Sequence, residues 1–181
     1  MADVIRLEIV TPTGVAFARE VVEVDVPTLT GEVGVLPGHV PTLFAVRTGI
    51  VTARPVGGAD VEPVKFAVGH GVLEVTHDKA ILLAERFAKK EDVDVVQTRA
   101  RFKEVDEELV GWQGELDDPK RKDMIEEEQW LAAALELIGD PPPPAMRELT
   151  RFQNRQVDEV IIEAPTVDGG TPEGLVEPQR E

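Results

Sequence analysis

Few side chains in this sequence are of types that carry out chemistry. The chain contains no serine and no cysteine, so it has neither a serine hydroxyl nor a thiolate to act as a nucleophile. Its three histidines, His39, His70 and His77, lie beside glycine or aspartate in segments typical of turns. A zinc site needs such donors at close spacing with carboxylates, and a short strand pattern separates His70 from His77. We therefore expect no metal site and no catalysis by this chain alone.

The most sharply shaped segment is residues 31–41, in which three glycines and two prolines surround a short apolar run. Glycine adopts backbone angles that other residues avoid, whereas proline fixes one angle and removes a hydrogen-bond donor. This composition predicts a rigid turn with Glu32 and His39 at its two shoulders. It is not a phosphate loop, because no Lys-Ser/Thr pair follows the glycines. The turn is either a connector between strands or an exposed loop that docks a partner.

Composition and charge exclude several classes of function. The chain has 181 residues, of which 42% are apolar, and a formal net charge of −16. An acidic chain is unsuited to the phosphates of nucleic acid and to an anionic lipid surface. No apolar run approaches the roughly 18 residues that span a bilayer, and strand-like alternation begins at once, so we expect no signal peptide. These features favour a soluble, cytosol-type protein.

Strand-like alternation fills the first 88 residues. In residues 4–10, three apolar side chains at every second position alternate with Arg6 and Glu8. Similar short runs follow, with a turn signal about every 8–12 residues; they cover residues 22–26, 33–36, 43–46, 50–56, 64–68, 73–75 and 80–84. Such spacing is typical of an all-β sandwich or barrel. We predict an N-terminal β-sandwich domain of seven to ten short strands over residues 1–88.

Helical periodicity begins after residue 88. Asp92 or Asp94 can cap a first helix that stops near Gly111 or Gly114. Its apolar face is predicted from side chains that recur at steps of three, four or seven: Val95, Phe102, Val105, Leu109 and Trp112.

A second helix is predicted to open at Asp118-Pro119, with proline at the first helical position, and to end at Gly139. Its stripe consists of Met124, Leu131, Leu135 and Ile138, with Trp130, Ala134 and Leu137 beside it. Two such helices joined by a short link form a C-terminal helical hairpin over residues 89–140.

The remaining residues, 141–181, form a proline-led tail. We expect a short helix over residues 146–161 and disorder over 165–181, where glycine, proline, glutamate and threonine dominate.

The hairpin itself is strongly acidic: residues 91–140 hold 16 Asp or Glu against 6 Lys or Arg, a net charge of −10. This charge is either a solvated polar face or the surface of a mobile arm that meets a basic partner.

The order of these motifs resembles the epsilon subunit of F-type ATP synthase, of the bacterial type. The similar segments are Thr11-Pro12-Thr13-Gly14, then Gly31-Glu32-Val33-Gly34-Val35-Leu36-Pro37-Gly38-His39-Val40-Pro41, then Gly49-Ile50, then Ala67-Val68-Gly69-His70-Gly71-Val72-Leu73-Glu74-Val75, then residues 80–84 and Asp92-Val93-Asp94. The resemblance covers residues 1–138. Residues 139–181 have no counterpart in it, so the chain carries an extended C-terminal tail.

The resemblance implies a sandwich of about ten strands and two helices that ride on the gamma subunit in the rotating central stalk. The base of the sandwich touches the polar loops of the c-ring, so the chain is a non-catalytic part of the machinery of ATP synthesis and hydrogen ion transport. The implied c-ring and gamma contacts here are Glu32, Pro37, Gly38 and His39. The implied location is peripheral, on the cytoplasmic face of the bacterial inner membrane, without insertion.

Some bacterial relatives bind ATP through an acidic residue followed by an Arg-Ala pair. Asp94 matches the acidic position, but Gln97 and Thr98 stand where the pair is expected, and Arg99 with Ala100 follows two residues later. A shift of over half a helical turn argues against ATP sensing, so we expect no cofactor.

The helices of the family can also extend into the alpha/beta catalytic hexamer and inhibit ATP hydrolysis, usually through a basic helix. The acidic second helix of this chain argues against that contact.

Three hypotheses follow in order of preference: a rotor subunit, a ligand-gated inhibitor of hydrolysis, and an unrelated acidic sandwich that binds a protein and holds a metal at His39.

Overall fold

The computed structural model describes residues 4–57 and 61–142. These residues form nine strands, a short 3₁₀ turn at Lys90–Asp92 and two helices. The elements are β1 Ile5–Thr11, β2 Gly14–Thr28, β3 Gly31–Val35, β4 Thr42–Val46, β5 Gly49–Pro55, β6 Val64–Val68, β7 Gly71–Val75, β8 Lys79–Ala84, β9 Phe87–Ala88, α1 Val95–Val110 and α2 Pro119–Leu137. The predicted class, a β-sandwich followed by a helical hairpin, is confirmed.

The long strand β2 links most of the sheet. The strands lie in the order β1-β8-β7-β4-β2-β5-β6-β9, while β3 pairs with β2 and β1 pairs with both β2 and β8. The β1–β8 pairing is parallel and the others are antiparallel. Only the second half of β2, residues 22–26, was predicted from the sequence. Its first half is largely exposed on both faces, so it lacks the alternation that burial of one face imposes.

The sandwich core consists of the inward-facing aliphatic side chains of these strands. Ile5, Leu7 and Ile9 are fully buried, as their alternation in the sequence predicts. The same cluster contains buried side chains from seven other strands, β2 to β8, including Val24, Val51, Phe66, Leu73 and Leu82. Burial of each such side chain contributes about 1.5–3 kcal/mol, so this cluster is the main source of stability in the sandwich.

The hairpin begins and ends where its capping residues predict. Asp94 caps α1, since its Oδ1 accepts hydrogen bonds from the amides of Val96 and Gln97 at 3.0 Å. Asp118 caps α2, with Pro119 at its first position. Gly139 follows α2 with a φ of +86°, a conformation that favours glycine.

The two helices pack through the stripes read from the sequence. Their shared buried cluster contains Phe102, Val105, Met124, Leu131 and Leu135, with Leu109, Trp112 and Ile138 packed at its margin. Val95, predicted for the same face, is instead exposed.

A second apolar face of α2 packs against the sandwich. Ala133 and Leu137 form a buried cluster with Ala67 of β6 and Ala88 of β9. Trp130 contacts both this cluster and the one between the helices. Alanine on both sides lets the helix and sheet backbones approach closely. The hairpin is therefore folded down on the sandwich.

Two further observations concern the chain as a whole. Within the described residues, neither helix is both long and apolar enough to cross a membrane. The predicted tail, a short helix followed by disorder, lies from residue 143 onward outside the described residues.

Adjacent leucines of β8 provide a direct check of this fold. Leu82 is fully buried, whereas Leu83 points outward and is 54% exposed. We expect Leu82→Ala to lower the free energy of unfolding by about 2–5 kcal/mol, and Leu83→Ala to change it by less than about 0.5 kcal/mol. Urea unfolding of the two variants measures both values. Equal losses would show that the strand faces are assigned wrongly.

Candidate functional site

The loop between β3 and β4 is held in one shape by local hydrogen bonds. The amide of Gly38 donates to the carbonyl of His77 at 3.0 Å, which ties the loop to the β7–β8 turn. The amide of His39 donates to the carbonyl of Leu36 at 3.1 Å and closes a tight turn. Gly38 has a φ of +80°, where a residue with a side chain would be strained. The loop is therefore rigid, as its composition predicts.

His39 is presented at the tip of this loop. Its ring lies edge-on to Phe44, with centroids 6.1 Å apart, and its Nδ1 is 2.7 Å from the carbonyl oxygen of Val40. If Nδ1 carries the proton and donates to that carbonyl, Nε2 is the free acceptor. Pro37 beside it is half-buried and supports the turn. The imidazole is thus oriented by the protein and half-exposed to a partner.

Glu32 lies at the other end of β3, with different neighbours. It pairs opposite Pro27 of β2 and is exposed. It lines a groove of about 320 Å³ that also contains Arg47, Lys65 and Glu136. His39, in contrast, lies beyond the end of β3, next to Gly38, which is tied to the β7–β8 turn. The structure does not bring these two candidate contacts into one site.

A band of exposed aliphatic side chains crosses the outer face of the sheet. Register places Val10 of β1 opposite Leu83 of β8, Leu83 opposite Val72 of β7, and Val72 opposite Ala45 of β4. Directly opposed residues point to the same face, and Val15 extends the row beside Val10. We call these five residues, Val10, Val15, Ala45, Val72 and Leu83, the apolar band. Val15, Val72 and Leu83 are 65, 44 and 54% exposed, and Leu43 in the neighbouring row is 69% exposed, whereas Val10 is half-buried.

Charged side chains border the apolar band on one side. Glu8 accepts hydrogen bonds or ion pairs from Arg6 and Lys79, each at 2.9 Å. The Arg6 guanidinium, followed by the Lys79 ammonium, lowers the pKa of Glu8 below its usual value. An apolar centre with a charged rim is the composition of a protein interface. The band could not be predicted from the sequence, because its five members lie on five different strands and only the strand register brings them together.

The two residues considered for ATP sensing have structural roles in the hairpin. The Asp94 carboxylate caps α1. Arg99 donates through Nε to Oδ2 of Asp140 at 3.1 Å and through Nη2 to the same oxygen. This contact joins α1 to the residue just beyond α2. The structure therefore does not bring Asp94 and Arg99 together as one anion-binding pair, and each already has a partner.

A bidentate ion pair also fixes α1 against α2. Arg101 donates from Nε and Nη2 to the two carboxylate oxygens of Glu127, at 2.8 and 2.9 Å. The hydrogen bonds from Arg101 lower the pKa of Glu127. Burial raises the pKa of Asp106, and the nearby Glu107 carboxylate raises it further. Some acidic side chains of the hairpin therefore take part in contacts between the helices, and others face solvent.

Comparison with known proteins defines the class that this fold represents. Residues 4–90 match the family model described as ATP synthase, Delta/Epsilon chain, beta-sandwich domain. A chain of the mitochondrial ATP synthase of Euglena gracilis, from a structure of OSCP, F1 and c-ring, has a TM-score of 0.56 with 19% identity. That likeness covers 81% of this chain and 82% of the other, and it supports the fold alone.

Curated relatives narrow the class further. The ATP synthase epsilon chain of Sulfurihydrogenibium sp. is 32% identical over 130 residues, covering 72% of this chain and 92% of that protein. The epsilon chain of Synechococcus elongatus is 32% identical over 107 residues, covering 59% of this chain and 75% of that protein. The chain belongs to the ATP synthase epsilon chain family. The members of this family are non-catalytic subunits of the complex. Family membership rules out the third hypothesis, an unrelated sandwich.

Proposed function

We propose that this chain is the rotor subunit that links gamma to the c-ring and so couples proton translocation to ATP synthesis. Membership in the epsilon chain family carries the proposal. Two features of the surface support it: the apolar band on one sheet face and the rigid loop that presents His39. A subunit in a rotating stalk needs a firm attachment on one side and a contact that transmits torque on the other.

The apolar band is the proposed attachment to gamma. Its members lie in one row across neighbouring strands, so they form a continuous apolar surface. Large exposed apolar surfaces of this kind mark protein interfaces. Burial of aliphatic surface contributes about 25 cal/mol per Å² before the costs of association. The charged rim of Arg6, Glu8 and Lys79 would fix the orientation of the partner rather than its affinity.

The loop with Pro37, Gly38 and His39 is the proposed contact with the polar loops of the c-ring, and Glu32 is a second contact. Torque applied to a loop is transmitted only when the loop keeps its shape, and the Gly38–His77 hydrogen bond helps to maintain it. Since Glu32 lies at the start of β3 and His39 lies in the loop beyond its end, we propose that each acts separately. Contact with the c-ring would place the chain peripherally on the cytoplasmic face of a bacterial inner membrane.

We further propose that Asp94 and Arg99 do not bind ATP. The carboxylate of Asp94 accepts hydrogen bonds from two amides of α1, and the guanidinium of Arg99 donates to the carboxylate of Asp140. A nucleotide would have to displace both contacts.

Control of ATP hydrolysis by the hairpin is the second candidate function. Its support is the make-up of the contact between α2 and the sandwich, where three of the four buried side chains are alanines and Ile50, Val93 and Trp130 are only partly buried. Such a contact could open without disrupting either the sandwich core or the cluster between the helices. Released helices would then be free to reach the alpha/beta hexamer.

Gamma binding through the apolar band is tested with Leu83→Arg. A charged side chain in the middle of the band should weaken binding of purified gamma by at least about tenfold, or about 1.4 kcal/mol. The matched control is Val110→Arg, because Val110 is an exposed aliphatic residue on α1, outside the band. Titration calorimetry measures both. Binding by Leu83→Arg at the wild-type affinity would refute this surface.

The c-ring contacts are tested in membrane vesicles that carry the assembled complex. His39→Ala and Glu32→Gln should each reduce ATP-driven proton pumping at a given rate of hydrolysis, because each removes a polar contact of about 1–2 kcal/mol. Glu62→Gln, a charge removal at an exposed site elsewhere on the sandwich, is the control. If both variants pump as wild type does, the loop is only a connector between strands.

The regulatory candidate is tested by deletion of residues 92–181 from the assembled complex. Loss of an inhibitory hairpin should raise the rate of ATP hydrolysis, and the full-length isolated chain should show the same Tm with and without ATP. An unchanged hydrolysis rate would argue against regulation by the hairpin. A rise in the Tm of the isolated chain with ATP would contradict the proposal that Asp94 and Arg99 do not bind ATP.

A further inference from the structure

Three side chains with metal-binding atoms gather where α2 meets the sandwich. His70 comes from the β6–β7 turn, Glu85 from the segment after β8, and Glu126 from α2. One donor atom of each lies within 4.8 Å of the others. The Nε2 atom of His70 and the Oε2 atom of Glu85 are only 2.8 Å apart. The three residues are far apart in the sequence, so histidine spacing gave no sign of this cluster.

The sandwich holds two of these donors in place without help from an ion. The amide of Glu85 donates to the carbonyl of His70 at 3.1 Å, and the amide of Gly69 donates to the carbonyl of Arg86 at 2.9 Å. These reciprocal bonds tie the two connecting segments together. The backbones of His70 and Glu85 are therefore fixed side by side, and their side chains meet at Nε2 and Oε2, which lowers the cost of bringing both to one ligand.

The third donor is positioned by the packing of α2. Trp130 lies one helical turn beyond Glu126 and packs in both clusters that hold α2. The guanidinium of Arg86 lies 5.9 Å from the centroid of the Trp130 ring. Glu126 is exposed and keeps rotamer freedom, while the helix that carries it is fixed against the sandwich.

A small cavity lies among the three donors. It has a volume of about 10 Å³ and is lined by His70, Glu85 and Glu126 together with Thr48, Gly69, Arg86 and Trp130. This is about the space that one water-sized particle occupies. Its charged lining consists of two carboxylates and one guanidinium, besides the imidazole, so the donor set carries an excess of negative charge.

We propose that His70, Glu85 and Glu126 bind one divalent transition-metal ion of the zinc class and that this ion clamps α2 to the sandwich. One imidazole and two carboxylates are ligands that zinc accepts, with water at the open position. Donor atoms around a tetrahedral zinc ion lie about 3.3 Å apart. The metal ion would replace the proton that His70 Nε2 and Glu85 Oε2 share at 2.8 Å, releasing it to solvent, and rotation of Glu126 would bring in the third ligand. Because one ligand belongs to α2, only the folded-down hairpin completes the site.

Metal binding to this site would stabilise the folded-down hairpin by mass action. The inference requires neither gamma nor the c-ring, so it stands or falls independently of the proposed rotor function. Its test uses the full-length chain alone.

The experiment titrates the metal-free chain with Zn²⁺ by calorimetry, and with Co²⁺ by absorbance, which reports coordination directly. The test variants are His70→Ala and Glu126→Gln. The matched controls are His77→Ala, a turn histidine at the far end of β7, and Asp123→Asn, an exposed acid of α2 one turn before Glu126. Circular dichroism in chelator confirms that each variant is folded; all four positions are exposed.

We expect one Zn²⁺ per chain, with affinity at least about tenfold lower in both test variants and unchanged in both controls. Zn²⁺ should also slow hydrogen exchange in α2 of the wild type, but not of Glu126→Gln. Absence of binding, or binding that both test variants retain, would overturn the site. Binding that is lost in His70→Ala but kept in Glu126→Gln would overturn the clamp, since the ion would then belong to the sandwich alone.

Discussion

The structure depends on the pairing of one long strand with several others. β2 pairs with β1 through its first half and with β3 and β5 through its second half, and its last residue pairs with β4. Val24 and Val26 in its second half are fully buried in the core. This strand therefore fixes where β3 begins and ends, and with it the positions of Glu32 and His39. The apolar band also depends on it, because β1 and β4, which both carry members of the band, are paired to β2.

The helix α2 has two apolar faces, and this sets what the hairpin can do. Met124, Leu131 and Leu135 face α1, while Ala133 and Leu137 face the sandwich. The contact with α1 is built from large side chains and an Arg101–Glu127 ion pair. In the contact with the sandwich, three of the four buried side chains are alanines, and the larger Ile50, Val93 and Trp130 are only partly buried. The hairpin would therefore stay intact while it leaves the sandwich. A clamp at His70, Glu85 and Glu126 would act on the weaker of these two contacts.

Sequence patterns predicted most of the strands and both helices, but not how these elements pack together. Alternation gave Ile5, Leu7 and Ile9 as a buried face, and capping chemistry at Asp118-Pro119 and Gly139 gave both ends of α2. The first half of β2 gave no signal, because residues exposed on both faces need not alternate. Neither the apolar band nor the His70 cluster could be read from the chain, since strand register and the docking of α2 create them. The motif that contains Glu32 and His39 was recognised in the sequence, but the sequence did not show that these two residues lie apart in the fold.

Assembly with gamma tests the central claim most directly. The purified full-length chain, mixed with purified gamma and analysed by size-exclusion chromatography with light scattering, should form a complex with one copy of each. Addition of a detergent-solubilised c-ring should shift that complex to a larger species that contains all three components. A monodisperse chain that elutes alone in the presence of gamma would contradict the account.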